Sequence, residues 1–172
     1  MGESLQGDSR VTEVIEKTTT PEEGLTLFED GYVKISEDFF WKAVALINWK
    51  WVSSNLDQID KDMFKFKLLK KYDVNIWKKV KEVETNKFKA LREILYAYDT
   101  HWRVGTSDDS TWDLCSHVVG LGRDVFLESC MNPESLIHRS HRHDYKENFG
   151  YWIPRDDKCN IPNSVDFIDK EE

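Results

Sequence analysis

GTSDDSTWDLCSHVVGLGRDVFLESCMNPESL, residues 105–136, decides how the chain is read. Ser107 is a good N-cap. Asp108 and Asp109 fall in a first turn, where the helix dipole favours negative charge, and Trp112, Cys115 and Val119 share one face. Gly120 and Gly122 are poor helix interiors, so either one supplies a positive-φ ending or a close helix approach. Phe126 and Cys130 then carry a second face until Asn132-Pro133 stops it. Two short helices with a glycine break are predicted.

Upstream, Ser36 caps a helix that opens with Glu37 and Asp38 and shows Phe40, Val44 and Ile47 on one face, with Trp41 adjacent. The recurrence of Leu56, Ile59, Met63, Phe66 and Lys70 predicts a second helix over about 54–72. A third is predicted over about 73–98 from Trp77, Val80, Glu84, Phe88, Leu91, Leu95 and Tyr98, with Thr85-Asn86 as a point of interruption. Residues 1–35 are polar and threonine-rich and read as a flexible arm. The domain runs over 36–154, with its helical core over about Ser36 to Pro133 and a loop-rich last part, and 155–172 is an acidic tail. The expectation is a mainly α, single-domain fold of about five helices with irregular N- and C-terminal segments.

Composition sets the outer bounds. A chain of 172 residues fits one domain, and seven Trp, nine Phe and six Tyr give it ample area to bury. No apolar run is long enough to cross a bilayer, and MGESLQGDSR has neither a basic start nor an apolar stretch. Cys115, Cys130 and Cys159 form an odd set without a CxxC pair, so a reducing, cytoplasmic setting is expected. The net charge of −8 opposes binding to nucleic acid. Residues 61–103 nevertheless carry 12 bases against 6 acids, between two acidic flanks. Those flanks read as solvated faces or as a docking surface for a basic protein partner.

The 105–136 segment resembles the signature of the DUF4240 family, bacterial domains of unknown function. The matching residues are Ser107, Asp108, Asp109, Trp112, Gly120, Gly122, Arg123, Asp124, Val125, Phe126 and Pro133, in a run without gaps. Phe40-Trp41 resembles the family's opening Phe-Trp, and Tyr96-Ala97-Tyr98-Asp99 the aromatic-Asp end of its long helix, so the likeness covers about 36–136. It departs at Thr111 and His117, where the family has aromatic residues, and at Cys115, where it has Arg. The resemblance implies a small helical fold and no agreed chemistry, since fold alone does not fix function.

Candidate site residues follow from charge and spacing. Asp99 ends one helix and Asp108 and Asp109 begin the next, so a short loop brings three carboxylates to one end, near Trp102, Trp112 and Arg123. Such carboxylates bind a hard cation, work as acid and base, or simply satisfy helix N–H groups, and Arg123 grips an anion or bridges to one of them. His138, His141 and His143 form a dense histidine cluster that reads as a weak metal candidate against an exposed polar loop. Cys115 and His117 point apart on a helix and make no catalytic pair, so Cys115 reads as a buried small hydrophobe. Trp49 and Trp51 cannot both face inward, which leaves one as a binding anchor.

No P-loop, GxSxG, HExxH or dinucleotide fingerprint is present, and no cofactor is expected. The leading expectation is an intracellular protein-binding domain of the immunity, regulatory or counter-defence inhibitor kind, with an acidic docking surface. The alternative is an enzyme or small-ligand-binding domain that uses the Asp99, Asp108, Asp109 and Arg123 end.

Overall fold

The computed structural model describes residues 22–98, 108–138 and 148–154. Among them are five helices of nine residues or more: α1 (Glu37–Ile47), α3 (Lys61–Lys71), α4 (Val74–Ala97), α5 (Asp108–Gly120) and α6 (Arg123–Met131). Two shorter ones, α2 (Trp49–Ser54) and α7 (Ser135–His138), and two 3₁₀ turns at Leu56–Gln58 and Phe149–Trp152 connect or close them. The fold is mainly α, as the periodicities imply. No helix of the described residues is long and apolar enough to cross a membrane.

Capping explains where the helices begin. Ser36 Oγ accepts the Phe39 N–H at 3.0 Å. Asp60 and Asp73 do the same for Met63 and Asn75, at 3.1 and 2.9 Å. Each cap satisfies an amide that the first turn would leave without a partner, an effect of about 1 kcal/mol per helix. The Asp60 cap corrects the helix expected over 54–72. Residues Leu56 to Gln58 form a separate 3₁₀ turn, and α3 starts only at Lys61. Conversely, Thr85-Asn86 does not interrupt α4, which is continuous over 24 residues. Its apolar stripe is buried from Trp77 to Leu95, but the last expected member, Tyr98, is 70% exposed.

The arm expected over 1–35 is corrected in its last third. Strands β1 (Leu25–Leu27) and β2 (Val33–Ile35) pair antiparallel, with Thr26 opposite Lys34. Val33 is buried, and the Tyr72 hydroxyl donates to the Glu22 carboxylate at 2.9 Å, which ties the hairpin to the end of α3. Strands of three residues are too short to show a period, so the sequence pattern hides them.

Helix α4 is the spine, packing against α5, α1, α6, β2 and the 149–152 turn. The core collects Phe39, Phe40, Trp49, Trp77, Leu91, Leu95 and Leu114, and each fully buried large side chain stabilises the fold by about 1.5–3 kcal/mol. It does not end at Pro133. Phe149, Trp152 and Ile153 are fully or almost fully buried, so the segment after α7 returns as part of the core. On the α1 side, Lys87 Nζ lies 5.4–5.6 Å from the ring centres of Phe40, Trp41 and Phe126 and donates to Glu37 at 2.5 Å.

The two glycines of the 105–136 segment divide the two roles between them. Gly122, the N-cap of α6, takes φ 114, a conformation that an L side chain rarely adopts. Gly120 is the close approach. A Cβ there would stand 2.6 Å from Trp49 Cδ1 and 2.7 Å from the Phe149 ring.

Candidate ligand-binding cleft

Between α4, α5 and the 149–152 turn lies a cleft of about 560 Å³, lined by Lys81, Thr85, Phe88 and Lys89 from α4, Trp112 and Asp113 from α5, and Asn148 and Tyr151 from the closing turn. Its volume falls in the range of small-ligand sites, about 300–1,000 Å³. The spacing on α4 is the reason these groups meet. Lys81, Thr85, Phe88 and Lys89 recur at three and four residues and therefore form one stripe beside the buried one.

The apolar part of the lining is aromatic. The Phe88 and Trp112 rings are 5.3 Å apart between centres and tilted by 53°. The Arg92 guanidinium carbon sits 4.5 Å from the Trp112 ring centre, a cation–π contact that helps hold the indole in place. Tyr151 is exposed and completes the rim. The ionic part comprises Lys81, Lys89 and Asp113. Lys89 is exposed and makes no ion pair among the described residues, whereas Lys81 is held 3.1 Å from a carboxylate oxygen of Glu84.

Glu84 is fully buried, directly behind Lys81. Its other oxygen, Oε2, is 2.7 Å from Ser116 Oγ, which in turn is 2.9 Å from Asn148 Oδ1. The Gly150 N–H donates to both Ser116 Oγ and Asn148 Oδ1, at 3.1 and 2.8 Å. The Asn148 amide nitrogen donates to Asp113 Oδ1 at 2.9 Å. The chain of contacts thus runs from the buried carboxyl to the cleft wall. A Cβ at Gly150 would crowd this chain of contacts, 2.3 Å from Lys81 Nζ and 3.0–3.1 Å from Asn148 Oδ1 and Glu84 Oε1.

Hydrogen counting says which form of Glu84 this arrangement suits. Asn148 is oriented by a donor at Oδ1 and a carboxylate at Nδ2, so its oxygen faces Ser116. Ser116 has one hydrogen and two acceptors within reach. If Glu84 is protonated, its O–H donates to Ser116 and the Ser116 O–H donates to Asn148, and each hydrogen is used once. Burial pushes the Glu84 carboxyl above the usual range, while Lys81 and the hydrogen bonds of Ser116 and Thr85 pull the other way and only partly offset it.

The residues expected at the Asp99 to Arg123 end divide. Asp99 and Trp102 lie outside the described residues, and α5 begins at Asp108, with the side chains of Asp108 and Asp109 also outside them. Arg123 is 3.5 Å from Asp38, with both side chains more than half exposed. Of the members of that set among the described residues, Trp112 lines the cleft and Arg123 does not. Trp49 is buried and donates from its indole nitrogen to His117 Nδ1 at 2.9 Å, while Trp51 is 52% exposed. Only one of the two faces inward, as the helical spacing requires. His138 closes α7 with its side chain outside the described residues, as are His141 and His143. Among the described residues no group of three or more His, Cys, Asp or Glu could hold a metal. Burial pushes the Cys115 thiol far up, so it is a core residue with no thiolate to offer.

Sequence reasoning missed Lys81, Lys89, Asp113, Ser116, Asn148 and Tyr151. It did contain one signal, a glutamate inside an apolar stripe at position 84. A charge at a core position needs a buried partner, which points to the helix face across from it. The chain has no match among family models, curated proteins or solved structures, so the site rests on its own geometry.

Proposed function

We propose that this chain is a small-ligand-binding domain and that the cleft between α4, α5 and the 149–152 turn is its recognition site. One observation carries this reading: an aromatic lining and the exposed Lys89 ammonium share one concave surface of ligand size. Aromatic rings supply area for a ligand body, and a few polar groups fix its orientation. The reading keeps Trp112 from the sequence-based set and moves the site from the Asp108 to Arg123 end to the middle of α4.

A titration of the isotope-labelled protein with a fragment set, followed by backbone amide shifts, tests it. Shifts clustered on residues 81–89, 112–116 and 148–152, and abolished by Lys89→Ala together with Trp112→Ala in a protein that keeps its helical spectrum, are expected. Shifts that cluster elsewhere, or none at all, refute it.

A second reading is the protein-binding domain of immunity, regulatory or inhibitor type. Its support is the exposure of Trp51, 52%, with Leu46 half-exposed just before the left-handed Asn48 that separates α1 from α2. Exposed tryptophan is enriched among the anchors of protein interfaces. Trp51→Ala would then weaken a partner complex at least tenfold and leave stability within about 0.5 kcal/mol. An unchanged complex would remove the support.

A further inference from the structure

We infer that the ligand of this cleft is an aryl carboxylate, and that its binding draws a proton onto Glu84, the buried carboxyl behind Lys81. The inference rests on the cleft being the recognition site and adds the chemical class of the ligand and its control by pH.

The ligand class follows from shape and charge. Phe88, Trp112 and Tyr151 line the site, so a flat ring system finds aromatic partners on more than one side. With Glu84 protonated, two ammonium groups, Lys81 and Lys89, face a single carboxylate, Asp113, and one positive charge is left over. A monoanion matches it. A dianion such as a phosphate monoester would add repulsion from Asp113, and a cation would meet two ammonium groups.

The proton coupling follows from the position of Lys81. Its ammonium stands between Glu84, at 3.1 Å, and the cleft it lines. An anion that binds there shares this ammonium and adds a like charge near Glu84, and both effects favour the protonated carboxyl. The protein already holds an acceptor for that proton's hydrogen bond. Once Glu84 is protonated, Ser116 Oγ, 2.7 Å from Oε2, can accept its O–H and turn its own hydrogen to Asn148 Oδ1, 2.9 Å away. Lys81, on the same helix, is the charged group in contact with Glu84, and Asp113 of α5 joins the same chain of contacts through Asn148; Cys115 and His117 flank Ser116 in sequence. Asp113 is occupied by the Asn148 amide, Cys115 is buried as a thiol and the Nδ1 of His117 is turned to Trp49. The turn at 148–152 contributes Asn148 and Tyr151 to the cleft. Glu84 is thus the group that takes the proton. Binding and protonation are linked in both directions, so affinity falls as pH rises, by up to tenfold per unit at one proton per ligand.

Titration calorimetry with 2-naphthoate, in phosphate and in Tris at pH 7, counts the protons, because the two buffers differ in ionisation enthalpy. Uptake of a measurable fraction of a proton, up to one, is expected for the native protein. Glu84→Gln should bind 2-naphthoate with no proton exchanged, and 2-naphthamide should bind the native protein at least tenfold more weakly. If 2-naphthoate binds without proton uptake, the coupling is wrong and the cleft reading stands. If the amide binds equally well, the anion class is wrong. If neither compound shifts residues lining the cleft, the site itself is wrong. Should Glu84→Gln not fold, the pH dependence of 2-naphthoate affinity in the native protein decides the coupling, and a flat profile overturns it.

Discussion

Trp49 and His117, 68 residues apart, are joined by a buried hydrogen bond of 2.9 Å from the indole nitrogen to Nδ1. The acceptor role leaves Nδ1 without a proton and fixes how the imidazole sits between α2 and α5. His117→Leu would leave the indole N–H buried without this acceptor, at a cost of about 1–3 kcal/mol. Combining it with Trp49→Phe should cost less than the two single changes added together. Urea unfolding of the four proteins measures this, and strict additivity would contradict the pairing.

The two glycines of the α5 to α6 junction should fail in different ways. Gly120→Ala places a methyl group against Trp49 and Phe149, and overpacking of this kind costs about 1–3 kcal/mol. At Gly122 nothing lies within 4 Å of the added methyl, so only the backbone opposes it: φ 114 with ψ 175 is a region that glycine alone adopts readily, and a side chain there costs about 1–3 kcal/mol. Phe149→Leu, which frees space beside position 120, should therefore cost less in the Gly120→Ala background than alone, and as much in the Gly122→Ala background as alone. Thermal unfolding distinguishes them.

Glu84 makes stability depend on pH in the direction opposite to an exposed ion pair. Its folded-state value is raised, chiefly by burial, so its contribution is fully present below the unfolded value and lost as pH rises through the folded one. Glu84→Gln removes that loss. In urea titrations at pH 5 and pH 8, the variant should gain on the native protein as pH rises. A constant difference at both values would mean that Glu84 does not titrate with folding.

Glu37 works the other way. The Lys87 ammonium that donates to it holds its carboxyl below the usual range, so its contribution is present above the unfolded value and lost as pH falls. Lys87→Met keeps most of the stem's packing but removes the charge from the Phe40, Trp41 and Phe126 rings, at about 1 kcal/mol. The Glu37 carboxyl should then titrate close to its ordinary range in a carbon-detected NMR titration.

Tyr72 sets the alkaline edge. Burial, and then the hydrogen bond and charge of Glu22, push its phenol up to about 12. The folded form keeps this proton longer than the unfolded chain, so the contribution is complete below pH 10 and lost between about 10 and 12. Glu22→Gln should move the phenol midpoint down part of the way only, since burial is the larger cause. Ultraviolet titration of the phenolate reads the shift.

Much of the helical fold was legible because it is local. Ser36 caps α1, a glycine break separates α5 from α6, and the run from Trp77 to Leu95 shows one face of α4. Each is decided within a few residues by capping, positive φ or a 3.6-residue period. Where the reading failed, a local pattern met either a second local signal or a nonlocal partner. The Leu56 to Lys70 spacing looked continuous, but Asp60 could cap a new helix. Strands β1 and β2 exist because they find each other and the end of α3, which three residues do not announce.

By itself the sequence determined a mainly α chain, the placement of its long helices, a glycine break with two possible causes, and one inward tryptophan of the Trp49 and Trp51 pair. Only the tertiary structure decided which cause belongs to which glycine, that residues 149–153 return to the core, and that Lys81, Glu84, Ser116 and Asn148 form one chain of contacts. The reason is physical. Period and capping depend on neighbours along the backbone, whereas a cleft and the partners of a buried carboxyl depend on groups separated by 32 residues or more, brought within about 3 Å by packing of helices whose sequences say nothing of their mutual register.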